Sequence, residues 1–237
     1  LSKIVEMAIK LVVFDMAGTT VSDNDDVHAA LITAFYQHSY SIRRVDANKV
    51  MGWPKPTAIH FLLDKEFGVK KPRLESLTKE IHQTFLSEMI SFYKNDASVK
   101  AKPNAEKTFT ALKEKGIKVC LDTGFSRDIA DTIIQRLGWK EKGLIDYSVT
   151  SDEVKHGRPY PDLILKAMRL ADVKDPREVA KVGDTISDLQ EGSAAGCRYV
   201  IGITTGAYKA EELAKHEHTH LINDLQEILA IVSSEAN

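Results

Sequence analysis

Cysteine is scarce in this chain. Cys120 and Cys197 are the only two among 237 residues. They lie far apart, in apolar or small-residue settings, which argues against a disulfide framework and for a reducing compartment, so a cytoplasmic location is expected. Long apolar runs are missing as well: none approaches the roughly 20 residues that span a bilayer, so no membrane partner is expected. Charge of one sign is not in excess. The formal net charge is -2, which leaves no basic field to draw in nucleic acid. Repeats and low-complexity tracts are absent. Leu1 to Val13 is interrupted by Lys3, Glu6 and Lys10 and has no small-residue cleavage pattern, so no signal peptide is read. Leu1 to Glu6, ahead of Met7, read either as an extension of the natural start or as residues foreign to it. The composition that remains, 43% hydrophobic and 28% charged, is that of a soluble globular chain. Its length suits one large domain, or a core plus a smaller unit.

Strand signals are the next scarcity. After the apolar run Leu11-Val12-Val13-Phe14, closed by Asp15 and the small loop Met16-Ala17-Gly18-Thr19-Thr20, no convincing strand occurs between Ser22 and about Val99. That stretch is helical in pattern. Val27, Leu31, Ala34, Phe35 and His38 fall near helical spacing. Met51-Gly52-Trp53-Pro54-Lys55-Pro56 interrupts it, and Pro56 can open a new helix with Ile59, Leu62, Leu63 and Phe67 on its buried face, ended by Gly68. Pro72 and Glu75 start another, with Leu77, Ile81, Phe85, Met89 and Phe92 on one face. Strand-helix alternation begins only later. Helix is expected over Asn104–Lys115, strand over Ile117–Thr123, then a helix capped by Ser126 and stopped by Gly138. Strands follow at Ile145–Thr150, Val179–Val182, Tyr199–Ile203 and His220–Ile222. Helices are expected at Pro161–Ala171, Ile186–Ala195 and Leu225–Val232. Such alternation predicts an α/β fold, a doubly wound parallel sheet covered by helices. The all-helical block is then an insertion above the carboxyl edge of the sheet, where ligands of open α/β sheets sit.

Four strand ends carry polar residues suited to one task. Asp15 closes the first strand and Thr123-Gly124 the second. Arg158 lies in the loop after the third, and Asp184 closes the fourth, with Asp188 one turn into the next helix. Carboxylates at Asp15, Asp184 and Asp188 could meet around one hard cation such as Mg2+, which takes oxygen ligands. The Thr123 hydroxyl, the Gly124 N–H and the Arg158 guanidinium would supply donors to phosphoryl oxygens. Separately, each has an ordinary reading: a strand-end cap, a turn residue, a surface ion pair. Their placement on one sheet edge makes the joint case. The alternating His216, His218 and His220 could bind a transition metal, but a polar loop before a strand accounts for them better. The acidic run Asp23 to Asp26 reads as a solvated helix start.

These motifs, Asp15-Met16-Ala17-Gly18-Thr19-Thr20, Asp122-Thr123-Gly124, Gly157-Arg158-Pro159 and Gly183-Asp184-Thr185-Ile186-Ser187-Asp188, resemble in order and spacing the four motifs of the haloacid dehalogenase superfamily. The resemblance covers about Leu11 to Ile203. It implies a Rossmann-like core (8–20 and 103–237) with an inserted helical cap (21–102) and an Asp15 nucleophile. It also implies a Mg2+ ion held by Asp15, Ala17, Asp184 and Asp188. Two departures from the common pattern narrow it. Ala17 stands where phosphatases of this class carry a second Asp as general acid, and Arg158 replaces the usual Lys. Both are similar to phosphonatases, whose cap also carries a Schiff-base lysine in a Met-Gly-x-x-Lys stretch, here Met51-Gly52-Trp53-Pro54-Lys55. Ala58 and Phe125 differ from the phosphonatase pattern, and the acidic loop lacks its cysteine. The chain as a whole looks like the phosphonatase-like hydrolases, and Thr205-Gly206-Ala207-Tyr208 and the histidine-rich stretch belong to that resemblance.

The implied activity is hydrolysis of a small phosphonate with a carbonyl beside the C–P bond. Asp15, Lys55, Thr123 and Arg158 are expected to be catalytic, with Thr19, Gly124, Met51 and Trp53 binding substrate. The alternative is a phosphomonoester phosphatase using the same nucleophile. A lysine must be neutral to attack a carbonyl, and an apolar setting from Met51, Trp53 and Pro54 would favour that form. The competing reading of Lys55 is a surface residue on a proline-rich turn. A homodimer paired through the cap is implied by the same resemblance.

Overall fold

The computed structural model describes residues 8–233. The first seven residues, on which the reading of the chain start rests, lie outside them. Six parallel strands form one sheet in the order β3-β2-β1-β4-β5-β6: β1 Leu11–Asp15, β2 Lys118–Thr123, β3 Tyr147–Thr150, β4 Val179–Gly183, β5 Tyr199–Ile203 and β6 His220–Ile222. The central strand, β1, is buried along its whole length. Val12 and Phe14 face one apolar layer and Leu11 and Val13 the other, which is why its sequence is uninterrupted rather than alternating.

Five helices lie between β1 and β2, and the first four make up the insertion: α1 Asp26–Gln37, α2 Arg44–Asn48, α3 Lys55–Phe67 and α4 Arg73–Asn95. Their buried faces (Leu31, Phe35, Ile59, Leu62, Leu77, Ile81 and Phe85) belong to the same apolar cluster as Val12 and Phe14 of the sheet. The insertion is therefore packed continuously onto the core. The remaining helices are α5 Ala105–Glu114, α6 Arg127–Leu137, α7 Asp162–Leu170, α8 Ile186–Ala195, α9 Ala210–Leu213 and α10 Glu227–Ser233. No helix among the described residues is long and apolar enough to cross a membrane.

Three details differ from the sequence expectation. Helices α2 and α9, of five and four residues, are too short to generate a readable period. Helix α3 opens at Lys55 rather than Pro56, because proline is equally tolerated one position into the first turn, where no intrahelical partner exists for its missing N–H. This places Lys55 at the positive end of a helix, where a cationic side chain is disfavoured. Helix α1 does begin in the acidic run, but that run is not wholly solvated. Asp23 is half-buried, and its Oδ1 accepts the N–H groups of Asp26 at 2.6 Å and Val27 at 3.3 Å.

Candidate active site

The register of the sheet sets the first fact about the site. Asp15 is paired directly with Asp122 across β1 and β2, two buried carboxylates side by side. That arrangement is tolerable only with a cation between them. Arg158 supplies it: its Nη1 donates to Asp15 Oδ1 at 2.6 Å, and its Nη2 donates to both the side chain and, at 3.1 Å, the carbonyl of Asp122. The remaining nitrogen, Nε, donates to Glu191 Oε2 at 2.9 Å. Lys181, in the middle of β4, is 1% exposed and pairs with Asp122, with Asp188 at 3.0 Å and with Glu191 at 3.2 Å.

Asp184 and Asp188 are fixed from β4 and α8. The Thr185 N-cap hydroxyl receives the Asp188 N–H at 3.2 Å, while Asp188 Oδ2 accepts from the Thr185 N–H at 3.1 Å and hydroxyl at 2.5 Å. This capping box commits one Asp188 oxygen and leaves Oδ1 facing Arg158 at 3.1 Å. Asp184 accepts from the Thr19 hydroxyl at 2.9 Å and the Ala207 N–H at 2.7 Å. Gly18 and Gly206 make this approach possible, because a Cβ at either would fall 2.3 or 2.1 Å from Asp184 Oδ2. Gly18, with φ of 89°, also holds a conformation that other residues adopt with strain.

Lys55 enters from the helical insertion and is 4% exposed. Its Nζ lies 5.8 Å from the Phe85 ring centre and 5.6 Å from that of Phe125, and donates to the Trp53 carbonyl at 3.3 Å. Among the described residues it makes no ion pair. Burial lowers its pKa to about 8 against the opposing pull of Asp15. The Met51–Pro54 turn that carries it is seated on the core at glycines. A Cβ on Gly124 would lie 2.8 Å from the Gly52 carbonyl oxygen, and one on Gly157 would lie 2.2 Å from the Pro54 ring. Ser187 donates to the Met51 carbonyl at 3.1 Å.

These groups enclose a cavity of about 40 Å³. Asp15, Ala17, Met51, Lys55, Thr123, Gly124, Arg158 and Asp184 line it. Asp188 stands beside it, against Arg158. The two other expected binding residues meet the site differently. The Thr19 hydroxyl, fully buried, is spent on Asp184. Trp53 packs its ring on Phe61 at 5.4 Å and meets the site through its carbonyl. Asp23, Phe125, Gly52 and Ala207 also line the cavity without having been anticipated as site residues. Nor were Asp122, Lys181 and Glu191, although a lysine in the otherwise apolar strand Val179–Gly183 was a signal: a charge there must have a partner. His216, His218 and His220 form no metal-ligating group among the described residues. Instead, His218 Nδ1 meets the His216 carbonyl at 2.7 Å, and the His220 ring packs on Tyr199.

The charge balance tests whether a cation fits. Five carboxylates, Asp15, Asp122, Asp184, Asp188 and Glu191, are buried here with three cations, Lys55, Arg158 and Lys181. Fully ionised, they leave two negative charges without partners. Burial accordingly raises Asp184 to about 8, helped by Asp15 and Asp188, and Glu191 also to about 8, helped by Asp122. Asp15 is raised to about 6 by burial, with Arg158 restraining the rise. Carboxylate oxygens of Asp15, Asp184 and Asp188 lie within 4.8 Å of one another. This all-oxygen set fits a hard divalent ion, whose charge would offset the deficit; Ala17, expected with it, lines the same cavity.

Comparison with known proteins agrees with this geometry. Residues 9–196 match the model of the haloacid dehalogenase-like hydrolase family. The chain is 29% identical over 216 residues to the phosphonoacetaldehyde hydrolase of Bacillus cereus, covering 85% of this chain and 78% of that one. In fold it is similar to a phosphonoacetaldehyde hydrolase-like protein from Oleispira antarctica, with a TM-score of 0.82 and 19% identity over 97% of this chain and 93% of that one. It is also similar to a hydrolase from Pseudomonas syringae, with a TM-score of 0.78 and 21% identity over 96% of this chain and all of that one.

Proposed function

The chain belongs to the haloacid dehalogenase-like hydrolases, and from that premise we propose that it hydrolyses the C–P bond of a small phosphonate bearing a carbonyl next to the bond, with Mg2+ as its ion. The observation that carries this reading is Lys55: a buried lysine with no ion pair among the described residues, near two aromatic rings and lining the same cavity as Asp15. A phosphomonoester phosphatase needs no amine nucleophile, and in one Lys55 would serve only to bind substrate. With a pKa of about 8, roughly a tenth of Lys55 is neutral at pH 7, enough for it to act as a nucleophile.

The Lys55 amine condenses with the substrate carbonyl, releasing water and forming an imine. An Asp15 oxygen attacks phosphorus as the C–P bond breaks. The electron pair of that bond moves into the imine and forms an enamine, so no free carbanion has to leave. Protonation at carbon and hydrolysis of the imine return Lys55 and release a methyl ketone or acetaldehyde. A second water cleaves the phosphoaspartate, giving phosphate and free Asp15. No ester oxygen departs, which makes an acid at position 17 unnecessary and is consistent with Ala17. Arg158, Thr123 and the Gly124 N–H serve as donors to the phosphoryl oxygens. Arg158 also keeps Asp15 in its ionised form. Bound by Asp15, Asp184, Asp188 and the Ala17 backbone oxygen, Mg2+ would supply neutralisation of phosphoryl charge. Residues 21–102 act as the cap that brings Lys55 to the core of residues 8–20 and 103–237.

Incubation with phosphonoacetaldehyde and borohydride tests the imine step. Reduction should add the two-carbon unit to the Lys55 peptide, read by mass, and stop phosphate release only when substrate is present. Unmodified Lys55 with turnover intact refutes it. Phosphate release from sugar phosphates that survives Lys55→Ala would favour the phosphatase instead.

A further inference from the structure

Lys55 borders two cavities. The first, about 40 Å³, is the charged one that contains Asp15 and Arg158; the second, about 220 Å³, lies on the other side of the Lys55–Phe125 wall. Lys55, Gly124 and Phe125 line both. The two spaces differ in chemistry as well as size. Most of the second cavity's wall is apolar, from Phe85, Leu86, Phe125, Ile129 and the prolines at positions 54 and 56, while His82, Ser151 and Asp152 add polar groups to it. Among its polar lining atoms, the Ser126 hydroxyl oxygen is buried with no hydrogen-bond partner. The exposed Thr57 and Lys155 lie at its edge, so it opens to solvent.

A carbonyl carbon attacked by Lys55 carries two other substituents. One is the carbon bonded to phosphorus, and it must point into the charged cavity, which has room for little beyond a phosphoryl group. The other is hydrogen in an aldehyde and a carbon chain in a ketone. We propose that the second cavity receives that chain, so that the substrates of this enzyme are 2-oxoalkylphosphonates, ketones with an apolar substituent. This rests on the imine reading above. A cavity of about 150 Å³ with apolar walls is enough for benzene, so a substituent of three to six carbons or one ring fits. The balanced reaction is R–CO–CH2–PO3(2–) plus water giving R–CO–CH3 plus hydrogen phosphate. The water lost in forming the imine is returned when the imine hydrolyses.

The experiment measures kcat/KM for phosphate release from phosphonoacetaldehyde and from the 2-oxopropyl, 2-oxobutyl, 2-oxopentyl and 2-oxo-2-phenylethyl phosphonates. It uses wild type, Leu86→Trp and Thr57→Trp. Leu86 is half-buried and Thr57 exposed, and neither touches the charged cavity, so phosphonoacetaldehyde turnover serves as the internal control for folding. In wild type, kcat/KM rises through the ketone series by on the order of fourfold per methylene. Leu86→Trp cancels that rise and cuts the phenyl ketone at least about tenfold, while phosphonoacetaldehyde stays within about twofold of wild type; Thr57→Trp has the same effect in weaker form. A flat series, or ketones left uncleaved while the aldehyde turns over, overturns the proposal and leaves the imine reading standing. Equal losses on aldehyde and ketones in the tryptophan variants also overturn it, because the cavity is then only a passage. Cleavage of phosphomonoesters with no phosphonate cleaved overturns both.

Discussion

Two clusters of buried carboxylates sit back to back in this protein, and they are of opposite kinds. The front one, Asp15, Asp184 and Asp188, and the rear one, Asp122, Asp188 and Glu191, each gather three acids closely enough to hold an ion. The rear cluster already contains its cations. Lys181 touches all three of its acids and Arg158 touches them too. Both bases are held charged, well above their ordinary range, because the carboxylates around them outweigh the penalty of burial. The front cluster shares Asp188 and borrows Arg158, but among the described residues Asp184 is met only by a hydroxyl and an amide N–H. No base is paired with it, and burial pushes it up to about 8; Glu191 in the rear rises as far, but its Oε2 lies 2.9 Å from Arg158 and 3.2 Å from Lys181. Proximity of carboxylates alone therefore does not define a metal site. What distinguishes the front is the missing positive charge. The rear cluster aims Arg158 at Asp15, which makes it a support for the front rather than a second site.

That contrast can be broken experimentally. The largest effect is expected at the front, from Asp15→Asn: phosphate release should fall at least about a thousandfold, because an amide oxygen is a poor nucleophile. Steady-state assays with the fold checked by circular dichroism would measure this, and retained turnover would remove Asp15 from the chemistry. Next comes the rear, through Lys181→Met. Taking one partner from a buried ion cluster leaves uncompensated charge and should destabilise the protein by about 3–5 kcal/mol in urea unfolding. A shift below about 1 kcal/mol would mean the rear cluster is not internally balanced.

Asp184→Asn should behave in the reverse manner. Without metal it should change stability by only about 1 kcal/mol, since one of its two hydrogen bonds is retained. It should also abolish the stabilisation that Mg2+ gives wild type, about 2.7 kcal/mol at a hundredfold excess over the dissociation constant. Thermal melts with and without Mg2+ report both quantities.

The remaining effect is in pH. In metal-free protein Asp184 and Glu191 bind protons more tightly folded than unfolded, with folded values of about 8 against ordinary values near 4. Stability from this source is complete below about pH 4 and is lost as pH rises toward 8. Chelated protein should therefore melt lower at pH 8 than at pH 6. Mg2+ and Asp184→Asn should each reduce the slope, leaving the share of Glu191, and a metal-free melt that rises with pH over that interval would contradict the charge count.

Much of this was legible before any coordinates. Asp15, Thr123, Arg158 and Asp184 stand at or just beyond the ends of parallel strands, and a parallel sheet delivers all its carboxyl ends to one edge, so a linear pattern predicts a spatial one. Asp188 follows by the one-turn spacing of a capping box. Glu191 was hidden because a glutamate on a helix ordinarily faces water, and Lys181, conspicuous in an apolar strand, gave no sign of its partners, which the folded chain brings to it from β2 and α8. Phe85 and Phe125, which bracket Lys55, are 40 residues apart in sequence. No local period links them. Helices α2 and α9 were missed because one turn of helix carries no repeat.

By itself the sequence determined the parallel sheet, the helical insertion, the ordered acids and the family, since each is written in short-range periodicity or in residue spacing that survives without a third dimension. Only the tertiary structure decided which acids find a base beside them, that Lys55 is desolvated, and that a second, largely apolar chamber opens behind it. Those properties depend on what surrounds a group on every side, and burial is set by chain segments that meet only after folding.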